Sequence, residues 1–285
     1  VLIGGEDEYS INLVSDIYKN WVDQDRIITT NLWSSELSKL TANAFLAERI
    51  SSINSISALC EETGANVNEV AKAVGADTRI GPKFLNSGPG FGGSCFKKDI
   101  LNLVYICNYY GLTEVANYWE QIIKINDWQQ KRISTIIVKK LFGTISEKKI
   151  SIMGFSFKAN TNDTRESPSI RICKDLINEG ANLSIYDPKV TYGQIKKELN
   201  TPNLDKGETR DVSTWIFSNS IEDACKDADA IIITTEWEEF KKINWEKIHK
   251  ITRKPTWIFD TRNIIDEKLV KNFGFNIWKL GLGDI

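Results

Sequence analysis

The chain is poor in the residues that most often announce chemistry. It holds one histidine, His249, so a Ser-His-Asp triad is not expected, and His249 reads as a residue on a surface helix. Its five cysteines, at 60, 95, 107, 173 and 225, are odd in number and widely spaced, with no C-x-x-C pair. That excludes a disulfide framework and a zinc site, predicts reduced thiols in a cytoplasmic setting, and leaves no metal to expect. No apolar run is long enough to span a membrane and no segment resembles a signal peptide. No charge excess exists either: 36 Lys+Arg stand against 38 Asp+Glu, without a basic stripe, so a nucleic-acid partner is not expected. Repeats and low-complexity tracts are missing. What remains is an ordinary globular composition, 41% hydrophobic and 26% charged, over 285 residues, enough for two domains.

One stretch stands out. Gly88-Pro89-Gly90-Phe91-Gly92-Gly93-Ser94-Cys95 packs four glycines into six residues and ends on a thiol. Glycine lets a backbone turn tightly and approach a ligand closely. A helical pattern follows to Gly111, with Ser94 as the expected N-cap and Cys95 in the first turn. Helix N-termini favour thiolates and lower a thiol pKa from about 8.5 into the reactive range. Asp99 lies four residues on, so one helix face presents a thiol and a carboxylate, with Lys97 and Lys98 adding positive charge. A packed structural cysteine is the competing reading, and the loop, helix start and charges favour a nucleophile. Gly88, Gly90 and Gly93 also satisfy G-x-G-x-x-G, but no strand precedes them, so they do not read as a dinucleotide fingerprint.

Taken in order, Val1–Gly5, the apolar spacing Ile11 to Trp21, and Arg26–Thr30 form a β-α-β unit too small to cover a parallel sheet, which predicts that the preceding part of an α/β domain is absent. A helix of nearly thirty residues runs from Ser34 to Glu62, a length suited to bridging domains or pairing across a dimer axis. Lys39 and Asn43 share one of its faces. Helices at 67–74, 95–110 and 115–142 make a helical middle. From Lys149 strands and helices alternate: Ile150–Gly154, Ser169–Asn178, Leu183–Tyr186, Ala228–Thr235, Thr256–Asp260 and Phe275–Trp278, with 191–218 expected to be irregular. The fold class is therefore α/β, a helical central region with one long helix followed by a doubly wound, Rossmann-like parallel sheet. Lys158, Arg165 and Arg262 fall just past strand ends, where such sheets bind ligands, and three cations there suit a phosphate or carboxylate.

Ser34–Leu40, Ala42–Phe45, Gly90–Phe96, Gly154–Lys158, Asp163–Ser167 and Tyr186–Pro188 resemble, in order and along nearly the whole chain, the UDP-glucose/GDP-mannose dehydrogenase family. The resemblance implies three parts: residues 1–31 as the tail of an NAD-binding domain, 32–146 as a central helical dimerisation domain, and 147–285 as a Rossmann-like UDP-binding domain. It implies a four-electron oxidation of UDP-glucose to UDP-glucuronate, with NAD as cofactor and a homo-oligomer formed through the long helix. Cys95 would be the nucleophile, Lys39 and Asn43 the donors to oxyanions, and Asp99 the residue that positions or activates water. Arg79, Phe84, Phe91, Gly92, Phe96, Lys158 and Arg262 would bind substrate, Arg79 that of a neighbouring subunit, and Arg165 would approach the cofactor. Asn86, where relatives carry lysine, and Pro89 depart from the pattern and bear on affinity. The chain by itself is not expected to turn over. A GDP-mannose or UDP-N-acetylmannosamine dehydrogenase, or a non-catalytic sugar-nucleotide binding and dimerisation fragment, are the alternatives.

Overall fold

The computed structural model describes residues 1–200 and 214–283. In chain order the elements are β1 (Leu2–Gly4), α1 (Glu8–Tyr18), β2 (Ile28–Thr30), α2 (Leu32–Thr63), α3 (Val67–Gly75), α4 (Phe96–Tyr109), α5 (Thr113–Lys140), β3 (Lys149–Met153), α6 (Pro168–Asn178), β4 (Asn182–Tyr186), α7 (Tyr192–Leu199), β5 (Trp215–Phe217), α8 (Ile221–Cys225), β6 (Ala230–Ile233), α9 (Trp245–Ile251), β7 (Trp257–Asp260), α10 (Glu267–Asn272) and β8 (Asn276–Lys279). Contacts divide them into two units, residues 1–48 with 95–121, and residues 49–94 with 122–285.

In the first unit, β1 and β2 pair in parallel with Leu2 opposite Ile28, joined by α1, whose N-cap Asp7 accepts a bond from the Ser10 N–H. Asn31 accepts similarly from Ser34 at the start of α2. The buried apolar side chains are Ile3 on β1, Leu40, Ala44 and Ala47 on α2, Ile100, Leu103 and Cys107 on α4, and Ala116 on α5. The small alanines let helices approach closely. Phe45 stacks on Trp119, and the Tyr118 hydroxyl donates to Glu48, tying the start of α5 to α2.

The second unit is organised by a six-stranded parallel sheet in the order β5-β4-β3-β6-β7-β8. Its central strands are short apolar runs, Ile-Ser-Ile-Met in β3 and Ala-Ile-Ile-Ile in β6, buried on both faces as inner strands of a parallel sheet are. Alternate residues feed two cores. Ile150, Ile152, Leu183, Ile185 and Ile232 pack with α5, α6 and α7, while Met153, Ile231, Ile233 and Ile258 pack with α8, α9 and α10. Strand order reverses between β3 and β6, the switch point beyond whose carboxyl ends such sheets bind ligands.

One expectation needs correction. The stretch 191–218 is not irregular throughout: Thr191 and Gln194 form a reciprocal capping box that starts α7, and Trp215–Phe217 is edge strand β5. Residues 201–213 of that stretch lie outside the described residues. Helix α9, capped by Asn244, carries His249 on a helix as expected, while α8 and α10, which precede β6 and β8 and are capped by Ser220 and Asp266, are too short to show a stripe in the sequence.

Candidate functional site

The first unit gathers three of the expected catalytic residues. Lys39 and Asn43, one turn apart on α2, both donate to Asp99 Oδ2 on α4, at 3.0 and 2.5 Å. Lys98 Nζ stands 3.8 Å from the other oxygen. Asp99 is buried, whereas Lys39 is largely exposed. Burial pushes the Asp99 carboxyl up, but the bonds from Asn43 and Lys39 and the charges of Lys39 and Lys98 outweigh it and hold it below the usual carboxylate range. Lys39 and Asn43 each use one amine or amide proton on Asp99 and keep others for a ligand oxygen.

Cys95 is exposed and one turn before Asp99, whose N–H bonds the Cys95 carbonyl at 2.9 Å. The cap is shifted by one residue from expectation. Cys95, not Ser94, occupies the N-cap position, with helical dihedrals and no side-chain capping bond, and α4 starts at Phe96. Phe96 is half-buried in the first turn.

In the second unit the glycine loop is buried from Ser87 to Gly93. No strand precedes it, as expected. The close approach that requires glycine is to the chain itself. A Cβ on Gly92 would overlap the Glu166 carbonyl oxygen, and Gly90, at φ +125°, faces Asn126 Oδ1. Side-chain amides clamp the loop. Asn54 Oδ1 accepts from the Gly88 N–H at 2.8 Å, Gln129 Nε2 donates to the Gly88 carbonyl at 3.0 Å, and Asn126 both accepts from the Phe91 N–H and donates to its carbonyl, at 2.8 and 3.2 Å. Gly93 N–H bonds the Arg165 carbonyl at 2.8 Å.

Arg262, after β7, reaches the switch point. Its Nε donates to the Thr234 carbonyl at 2.8 Å, its Nη2 to the Phe157 carbonyl at 3.2 Å, and Glu236 lies 3.1 Å away. Burial pulls its guanidinium below the ordinary value, opposed by Glu236 and Asp260. Lys158 is exposed, its ammonium 5.4 Å from the Phe157 ring centre. The turn after β3 is fixed by buried Asp187, whose Oδ2 accepts from the N–H groups of Phe155 and Ser156 and from Trp237 Nε1.

Arg79 and Arg165 each fold back on the aspartate two positions earlier, Asp77 and Asp163. Phe84 is exposed at φ 63°. Asn54, Asn126 and Gln129 were missed by sequence reasoning, and Asp187 was read only as part of the Tyr186–Pro188 motif. The signal for Asn126 and Gln129 was faint: amides beside the apolar stripe that Ile122, Ile123, Ile133 and Ile137 mark along α5, while Asn54 lies on α2.

The strand order defines the class first: this is an α/β protein with the topology of nucleotide-binding sheets, carrying an arginine at its switch point and an exposed thiol at a helix start. Two family models then match, the central domain of the UDP-glucose/GDP-mannose dehydrogenase family over residues 33–128 and its UDP binding domain over residues 151–267. The chain belongs to the UDP-glucose/GDP-mannose dehydrogenase family. UDP-glucose 6-dehydrogenase 5 of Oryza sativa subsp. japonica and UDP-glucose 6-dehydrogenase 3 of Arabidopsis thaliana are each 52% identical to it over 293 residues, 99% of this chain. The chain spans 61% of the length of those relatives. Among solved structures, a UDP-D-ManNAc dehydrogenase from Pyrococcus horikoshii aligns with TM-score 0.78 and 30% identity over 100% of this chain and 60% of that one. A UDP-glucose dehydrogenase from Pyrobaculum islandicum shares the fold, with TM-score 0.82 at 24% identity, covering 99% and 58%.

The family's relationship to NAD can be tested against the residues described. The one G-x-G-x-x-G stretch has its Gly88 and Gly93 N–H groups bonded to Asn54 and the Arg165 carbonyl, and the turn N–H groups after β3 are bonded to Asp187. The donors a pyrophosphate would need are spent on the protein. Neither the glycine loop nor the turn after β3 therefore fits a pyrophosphate at these donors.

Proposed function

We propose that this chain supplies the thiol chemistry and the sugar-nucleotide recognition of a UDP-glucose 6-dehydrogenase. The observation that carries the reading is the Lys39–Asn43–Asp99 cluster one helical turn from Cys95. The Cys95 sulfur adds to a C6 aldehyde and forms a thiohemiacetal; oxidation gives a thioester, and water releases the carboxylate and the thiol. Lys39 and Asn43 donate to the negative oxygen formed when sulfur, and later water, adds to the carbonyl. Asp99, held ionised by its partners, is a weak proton acceptor, so its part is to orient the hydrolytic water together with Lys39. Oxidation needs a hydride acceptor, and the family resemblance names NAD; the steps assigned to this chain are those on sulfur and oxygen.

For the nucleotide, Arg262 and Lys158 are the cations at the switch point; by the family resemblance Phe84, Phe91, Gly92 and Phe96 are assigned to substrate and Arg79 to a neighbouring subunit's substrate. Arg165 is the residue assigned toward the cofactor. A homo-oligomer through α2 is supported by its exposed Trp33, Leu37, Phe45, Ile56 and Leu59. Identity with the plant enzymes favours UDP-glucose over GDP-mannose or UDP-N-acetylmannosamine. Because the donors of the glycine loop and of the turn after β3 are taken by the protein, the chain alone is expected to bind the sugar nucleotide without producing NADH. In an enzyme carrying this region, Cys95→Ser should abolish uronate release; steady-state turnover near wild type would remove the thiol from the mechanism.

A further inference from the structure

The glycine loop lies outside every strand and helix, yet it is buried from Ser87 to Gly93. Buried peptide groups must be bonded. At Gly88 and Phe91 all four backbone groups are met by side-chain amides from two helices: Asn54 on α2, Asn126 and Gln129 on α5. Asn126 treats Phe91 as a neighbouring strand would, accepting from its N–H and donating to its carbonyl. It also stands against Gly90 closely enough that a Cβ there would meet its Oδ1 at 2.8 Å. Asn54 and Gln129 are 0% exposed and Asn126 is 5% exposed, so water does not offer these groups a substitute. Gln129 is itself approached by Arg132 Nη1 at 3.5 Å, and Arg132 is held by half-buried Glu61, which also accepts from the Gly281 N–H.

We propose that Asn126 and Gln129 are positioning residues for sugar-nucleotide binding: they fix the peptide planes of the loop that presents Phe91 and Gly92, without touching the ligand. The inference rests on the reading of the loop as part of the UDP-glucose site. An amide is the side chain the arrangement demands, because each of Asn126 and Phe91 offers one donor and one acceptor, and no single-function group satisfies both.

The test compares the 285-residue chain with Asn126→Ala, Asn126→Asp and Gln129→Ala by hydrogen exchange and by calorimetric titration with UDP-glucose. Asn126→Asp keeps an acceptor for the Phe91 N–H and loses the donor to its carbonyl, so it reports even if the alanine variant folds poorly. The expected result is exchange of the 88–93 amides accelerated about a hundredfold, confined to that segment, in Asn126→Ala. With it the affinity for UDP-glucose should fall about tenfold or more, and the melting temperature should fall by several degrees as two buried groups lose their partners. Asn126→Asp and Gln129→Ala should lie between that variant and wild type. Unchanged exchange, or faster exchange with unchanged affinity, would overturn the proposal. A wild-type chain that does not bind UDP-glucose would overturn the ligand reading instead, and the exchange data would still decide whether the amides hold the loop.

Discussion

Asp163-Thr164-Arg165 and Asp260-Thr261-Arg262 are the same tripeptide put to different uses. In both, the arginine N–H donates to the aspartate Oδ1, at 3.0 and 3.1 Å. The guanidinium then parts company. Arg165 turns back to its own aspartate, with Nη2 at 2.7 Å from Oδ2, and remains exposed. Arg262 leaves Asp260 and spans to the carbonyls of Thr234 and Phe157. The carboxyls follow. The Arg165 side-chain bond holds Asp163 below its ordinary range, whereas burial pushes Asp260 up against the bonds from Ile265 and Arg262 and the charge of Lys279. Asp77-Thr78-Arg79 repeats the folded-back form, with Arg79 bonding Asp77 and lowering its carboxyl. Buried Asp99 shows that burial alone does not decide the direction: two direct donors, Asn43 and Lys39, bring it down. An arginine that closes on its neighbour satisfies a loop; one that is pulled away at a sheet's switch point bridges the carbonyls beyond the strand ends.

The largest expected effect that would break this contrast is at Arg262. Arg262→Ala removes two bonds from a charged donor at the switch point and should cost about 3 kcal/mol in urea unfolding, together with most of the affinity for UDP-glucose. Unchanged affinity would reduce Arg262 to a structural strut.

A second prediction separates the two aspartates by pH. Asp163, lowered in the fold, contributes stability that is present above its unfolded pKa and is lost as pH falls through its folded value. Asp260, raised in the fold, does the reverse: its ionisation opposes folding, so its contribution improves as pH falls. Stability measured across the acidic range should therefore change in opposite senses for Asp163→Asn and Asp260→Asn, relative to wild type. Parallel curves would erase the distinction.

The smallest effect belongs to Arg165→Ala. An exposed pair of this kind is worth less than about 1 kcal/mol, and the melting temperature and UDP-glucose affinity should barely move. A large loss of either would show that Arg165 leaves Asp163 in the bound state.

Much of this fold was legible because its signals are local. Ile150–Met153 and Ala230–Ile233 are buried runs bounded by turn residues, and Gly64, Gly111 and Gly180 end helices as their positions suggest. Helix α7 escaped because eight polar-rich residues give too short a stripe, although Thr191 and Gln194 carried a capping box. In the site, Cys95, Lys39, Asn43 and Asp99 were legible from the loop, the helix spacing and the family resemblance. The reach of Arg262 was only half legible: its place past a strand end could be read, but its divergence from Arg165 could not, since both follow the same two residues. Asn54, Asn126 and Gln129 bond loop residues 34 to 41 positions away, and no sequence spacing encodes such a distance.

The most direct measurement is calorimetric titration of this chain with UDP-glucose, with GDP-mannose as the control. Selective binding of UDP-glucose, lost in Arg262→Ala and kept in Arg165→Ala, is the result predicted from the switch-point geometry. Binding of neither nucleotide sugar, or a preference for GDP-mannose, would contradict it.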